Sequence, residues 1–124
     1  MVQTGKPLIT LISSAAVLLS SFTFTSAAIA GSHSDSIAEG KKISFSRKKG
    51  NCLACHAIVG GKSPGNIAPP LVAMQQRYPD KAKLHKQIWD ATIANPDSSM
   101  PPFGKHQVLT DSELDKVVDY IHSL

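Results

Sequence analysis

The five residues Cys52-Leu53-Ala54-Cys55-His56 constrain this chain more than any other feature. They form the Cys-x-x-Cys-His arrangement that attaches c-type haem. Each thiol can add to a haem vinyl group to give a thioether, and two intervening residues match the reach between the vinyls. The histidine beside the second cysteine is then carried under the iron, where a ring nitrogen can serve as an axial ligand. The motif uses both cysteines of the chain.

Three other uses of the motif fit less well. A redox-active Cys-x-x-Cys of the thioredoxin type needs a βαβ setting, and no part of the chain reads that way. A structural zinc site needs four ligands, whereas Cys52, Cys55 and His56 supply three and no second pair stands at finger spacing. A disulfide between cysteines this close in sequence would staple almost nothing.

The first thirty residues read as a secretory signal peptide. Lys6 supplies a positive start, Leu8 to Phe24 is mostly apolar, and Ala28-Ile29-Ala30 offers a cleavage site before Gly31. A retained membrane anchor is the rival reading. The serines and threonines in the apolar stretch favour cleavage, so the protein is expected to be periplasmic with no stable membrane anchor. Residues 31–124 then form one small domain. Such a domain buries little apolar surface by itself. Its aromatic residues are few, namely Phe45, Tyr78, Trp89, Phe103 and Tyr120. A covalently held haem would supply the missing core, and the haem-free chain is expected to fold poorly.

Gly31 to Asp35 is polar. A helix is predicted from Ser36 to about Ser46, with Ile37, Ile43 and Phe45 as its apolar residues. Gly40 lies inside it at a cost of about 1 kcal/mol relative to alanine, which close approach of another backbone would explain. Arg47-Lys48-Lys49-Gly50 ends this helix. Ile58 to Ala68 carries Gly60, Gly61, Pro64 and Gly65 and reads as a loop. A short helix through Arg77 follows Pro69-Pro70-Leu71. Asp80 is a predicted N-cap for a helix through about Ile93. Asp97 to His106 is a second loop. Thr110-Asp111-Ser112-Glu113 has the pattern of a capping box, with Leu109 placed to staple onto Leu114. Leu114, Val117, Val118 and Ile121 then recur at helical spacing. No alternating run demands a strand. The class is all-α, with three to five short helices around one covalently attached haem.

Met100 is the best candidate for the second axial ligand. It stands in an irregular loop, and the two prolines after it fix φ and cannot donate hydrogen bonds. Met74 lies on a predicted amphipathic segment, where methionine is usually core. His33, His85, His106 and His122 stand in polar surroundings. Closure by His56 and Met100 raises the reduction potential relative to two histidines and leaves no open iron position. A ligating histidine usually donates its other ring N–H to an acceptor. A backbone carbonyl in the Ala68-Pro69-Pro70-Leu71 turn is the predicted acceptor, with Pro69 and Leu71 part of the haem environment.

Taken in order, the Gly40 helix, Cys52 to His56, the Pro69 turn, Met100-Pro101-Pro102-Phe103 and the C-terminal helix resemble the class I cytochromes c. The resemblance implies that the first and last helices cross at Gly40, against the Val117 to Ile121 face. A narrower resemblance is to SoxX, the monohaem subunit of the SoxAX cytochromes of bacterial thiosulfate oxidation. It rests on Arg47 to His56, Pro64 to Leu71, Arg77 to Asp80 and Met100 to Lys105. It implies an accessory electron-transfer subunit of an L-cysteine S-thiosulfotransferase. Thiosulfate would be joined to a cysteine of the carrier SoxY, with the sulfur chemistry on a SoxA-like cytochrome subunit. A soluble cytochrome c would accept the electrons. The present chain has no spare cysteine for the sulfur step, which agrees with an accessory role.

The chain carries 13 Lys and Arg against 9 Asp and Glu, a net charge of +4. Lys41, Lys42, Arg47, Lys48 and Lys49 cluster before the haem motif, as a solvated helix end or as a docking face for an acidic patch. Nothing resembles a nucleic-acid-reading motif. A freely diffusing monohaem electron carrier is the alternative to a complex subunit. A haem enzyme or gas sensor would need an open sixth position.

Overall fold

The computed structural model describes Met1, Gly5 and residues 27–124, with side chains of the first helix from Ser32 onward. The predicted signal peptide therefore lies almost wholly outside the described residues. Among the described residues, four α-helices and two 3₁₀ turns make up the regular structure, and there is no strand. The helices are α1 (Ala27–Phe45), α2 (Met74–Arg77), α3 (Lys81–Trp89) and α4 (Asp111–His122). The all-α prediction agrees with this architecture.

Helix α1 is described from Ala27, upstream of the predicted Ser36, so it crosses the predicted cleavage junction and takes in the polar 31–35 segment. The alanine-rich stretch before Gly31 has the intrinsic propensity to carry the helix through the glycine and serines. At the other end, Gly50 packs close to Ile43, and the left-handed backbone falls on the next residue, Asn51, at φ 46°. Asparagine tolerates that conformation because its side chain bonds locally.

Helix α4 packs against α1 and α3 at the centre of the fold. Its capping box is complete: the Thr110 hydroxyl accepts from Glu113 N at 3.3 Å, and the Glu113 carboxylate accepts from Thr110 N at 3.0 Å. Leu114, Val117, Val118 and Ile121 are buried, as the periodicity predicts, and Tyr120 and Leu109 are buried beside them. The crossing with α1 occurs at Gly40. A Cβ there would overlap the Lys116 carbonyl and lie 2.9 Å from Tyr120 Cβ. One turn away, Phe45 meets Tyr120 edge-on, with ring centroids 6.1 Å apart.

Polar contacts frame this crossing. Glu39 pairs with Lys116, Lys49 with Glu113 at 2.8 Å, and Lys81 with Asp119. Ser36 Oγ also donates to Asp119 at 2.6 Å. These carboxyls titrate below their ordinary range. For Glu39 and Glu113 the main cause is the hydrogen bond from the paired lysine. At Asp119 burial acts to raise the value, but Lys81 and Ser36 together outweigh it.

The helix predicted from Asp80 to about Ile93 is divided. Asp80 caps it, accepting from Ala82 N at 2.9 Å. It stops at Trp89, however, because Asp90 is extended at φ −155° and ψ 96°. A 3₁₀ turn over Ala91–Ile93 follows, capped by the Asp90 carboxylate at Thr92 N, 3.0 Å away. An aspartate that bonds the backbone two residues ahead competes with helix continuation.

Candidate functional site

The haem motif leaves α1 through the turn 47–50 and winds into a 3₁₀ turn over Cys52–Ala54. Cys55 N and His56 N both donate to the Cys52 carbonyl, at 3.2 and 2.9 Å. This tight winding brings both thiols and the imidazole to the wall of one cleft. The loop after the motif is laced back onto it. Gly65 N donates to Leu53 O at 2.8 Å, Ala68 N to Cys55 O at 3.1 Å, and Leu71 N to Ala57 O at 2.9 Å. These three backbone bonds tie the loop to the haem motif and to Ala57 just after it.

His56 Nδ1 lies 2.7 Å from the carbonyl oxygen of Pro69. A carbonyl can only accept, so Nδ1 carries a proton, and in the neutral ring Nε2 keeps its lone pair. This is the arrangement by which a ligating histidine is held in one tautomer and one ring orientation. Arg77 braces the same turn, donating to Pro70 O at 2.9 Å while also reaching the Met74 sulfur at 3.4 Å. Sequence reasoning marked Arg77 only as a helix end and part of a resemblance. Its contact with a turn seven residues earlier has no periodic signature.

The cleft has a volume of about 660 Å³, within the range of about 300–1,000 Å³ usual for cofactor and ligand sites. Its lining is mostly apolar, with Leu71, Leu84, Ile88, Phe103, Leu109 and Val117 among its walls. Arg47, Lys49 and Arg77 add positive charge. The predicted residues Cys52, Cys55, His56, Pro69, Leu71 and Met100 all line it. Met74 also reaches the cleft, though it is buried in the core as its helical position predicts. The other four histidines do not line it. His122 bonds the Tyr78 carbonyl at 3.1 Å, and His85 lies 3.5 Å from Asp115. Burial pushes the Cys52 thiol above its ordinary pKa.

This set of groups fits a covalently held haem. Two thiols two residues apart can form the thioethers. His56 Nε2 and a methionine thioether, from the Met100 loop or from Met74, are the candidate iron donors lining the cleft, and the apolar walls suit a flat aromatic body. The basic cluster before the motif is only partly free. Lys49 is paired with Glu113, and Lys41 lies over the Phe45 ring at 5.7 Å.

Comparison with known proteins agrees with this chemistry. The chain is 35% identical over 79 residues to a protein described as an uncharacterized lipoprotein of Aquifex aeolicus (strain VF5). The similarity covers 60% of this chain and 37% of that protein, so the chain spans little more than a third of the relative. Residues 35–121 match the family described as cytochrome c oxidase, cbb3-type, subunit III. That match covers α1 from Asp35, the haem motif, α2, α3, the Met100 loop and α4 through Ile121, and the chain belongs to this family of c-type cytochromes, a membership that implies covalently bound haem c and electron transfer.

Proposed function

We propose that the chain is a monohaem electron-transfer cytochrome whose iron is held by His56 and Met100, and that it serves as the SoxX-like subunit of a thiosulfate-oxidising complex. The observation that carries the first part is the single apolar cleft shared by both thiols, His56 and Met100, with His56 Nε2 left free by the bond to Pro69. Bound haem supplies a one-electron redox centre. Cys52 and Cys55 fix its position, and the Pro69 carbonyl raises the donor strength of the imidazole. Closure by a histidine and a methionine favours a relay over a substrate site. The exposed side chains of Ile67 and Val108 lie at the cleft and give it an apolar mouth where a redox partner can approach.

The thiosulfate reading is supported by the stretches that resemble SoxX. All four of them contribute lining residues to this cleft, from Arg47 to Phe103. With both cysteines committed to haem, the sulfur chemistry belongs to a SoxA-like partner. The present chain would pass electrons released at SoxY to a soluble cytochrome c. The apolar start of the sequence and the similarity to a protein named a lipoprotein support an exported, periplasmic location.

Purification of the exported protein with its partners tests this reading. A stable complex with a second cytochrome, and reduction of this haem by thiosulfate only when SoxY is present, is the expected result. An assembled complex in which thiosulfate and SoxY leave this haem oxidised would remove the thiosulfate role and leave a diffusible carrier.

A further inference from the structure

The loop that carries Met100 has little structure of its own. Between Asn95 and Phe103 it is held by a few local bonds, Ser98 N to Asn95 O at 3.0 Å and Met100 N to Ser98 Oγ at 3.3 Å. Its fixed points lie beyond Met100. The Trp89 carbonyl accepts from Gly104 N at 3.1 Å and from Lys105 N at 3.2 Å. Gly104 lies so close under the Trp89 indole that a methyl group there would overlap the ring. Asp90, the next residue, is almost wholly buried, with 1% of its side chain exposed. Its two oxygens have separate partners. Oδ1 accepts from Thr92 N and Thr92 Oγ1 and so caps the 3₁₀ turn. Oδ2 accepts from Lys105 Nζ at 2.8 Å, across fifteen positions of chain.

The cap alone needs only the first oxygen. A carboxylate is costly to bury, and a residue that served the turn alone could be an asparagine. The second oxygen reaches the far end of the Met100 loop and closes it into a ring. The Lys105 hydrogen bond, followed by that from Thr92, holds the Asp90 carboxyl below its ordinary range, so the carboxylate is charged at neutral pH. A charge-assisted bond of this geometry is among the stronger polar contacts a protein makes.

We infer that Asp90 is a positioning residue for Met100, acting through Lys105 to keep the thioether on the iron against competing ligands. This rests on Met100 being the axial ligand. With the staple intact, release of the thioether must displace a loop tied at both ends. With it broken, the loop gains freedom whenever the thioether lets go, so the open state rises in population.

Imidazole titration of the ferric holoprotein reads this directly, because imidazole can enter only where Met100 has left. Asp90→Asn and Lys105→Met are each expected to bind imidazole about tenfold more tightly than wild type, within the range typical of coupling between linked sites. The double variant should gain little beyond either single one, since both break the same bond. Lys105→Arg, which can still donate to Asp90, should restore near-wild-type affinity. Lys105 is half-exposed, so its variants decide the matter should Asp90→Asn fail to fold. Unchanged imidazole affinity in Lys105→Met, whatever happens to its melting temperature, would reduce Asp90 to a structural cap and overturn the inference. The sulfur-to-iron charge-transfer band of the wild-type protein is the separate control. Its absence before any mutation would overturn the Met100 assignment itself, and the staple with it.

Discussion

Replacing Gly40 by alanine pits two effects of opposite sign against each other. In an isolated helix the change is stabilising by about 1 kcal/mol, because alanine loses less backbone entropy than glycine. In this fold the new methyl would stand 2.5 Å from the Lys116 carbonyl carbon and 2.9 Å from Tyr120 Cβ. Carbon atoms need about 3.5 Å, so α1 and α4 must part by roughly 1 Å. The obstacle is main chain and cannot swing aside, which places the cost at the upper end of the range of about 1–3 kcal/mol for overpacking. Net destabilisation of about 2 kcal/mol is expected, which lowers the melting temperature of a domain this size by about 8–16 °C. The assay is thermal unfolding of the holoprotein by far-ultraviolet circular dichroism. Ala38→Gly, at an exposed position of the same helix, calibrates the propensity term and should cost about 1 kcal/mol. A Gly40→Ala protein as stable as wild type, or more so, would refute the close crossing.

Other perturbations follow from the same structure. Cys52→Ser/Cys55→Ser should retain no haem after acid extraction and should lose its near-ultraviolet dichroism. The bare cleft of about 660 Å³ would cost on the order of 15 kcal/mol as a closed cavity, and less when open to water, against a typical total stability of about 5–15 kcal/mol. A native-like spectrum from that variant would contradict the view of haem as core. Thr110→Ala should lower stability by about 1 kcal/mol in denaturant titration, since it removes one half of the α4 capping box; an unchanged midpoint would mean that the cap contributes nothing. Glu39, Asp90, Glu113 and Asp119 all have folded pKa values below the ordinary carboxylate range. Their contribution is therefore present above the unfolded value of about 4 and is lost as pH falls through the lower folded values. Urea midpoints should be flat near neutrality and drop below about pH 4, and a midpoint that rises on acidification would contradict these pairings.

What could be read from the sequence, and what could not, divides by range of interaction. The C-terminal helix was legible to the residue at its start, because a capping box and an apolar stripe are local signals. The haem motif and its acceptor turn were legible because thioether chemistry and histidine tautomers restrict spacing and partner. Asp90 was not. The apolar spacing of Leu84, Ile88 and Ala91 runs straight through it, and nothing local says that the chain must turn extended there. The break depends on its carboxylate bonding Thr92 ahead and Lys105 far along the chain, and the second bond exists only once the Met100 loop is folded. Asn51 was missed for a related reason. The sequence marks Gly50 only as part of the end of α1; its smallness is used for packing against Ile43, and the left-handed backbone falls on its neighbour.

The most direct test of a closed His56–Met100 electron relay is the optical spectrum of the purified holoprotein in both redox states. The ferric form should show the near-infrared sulfur-to-iron charge-transfer band, and the ferrous form should not bind carbon monoxide. Met100→Ala should lose the band and gain carbon monoxide binding while keeping its covalent haem. Carbon monoxide binding to the wild-type ferrous protein, or a charge-transfer band that survives in Met100→Ala, would contradict the assignment and reopen the cleft as a ligand site.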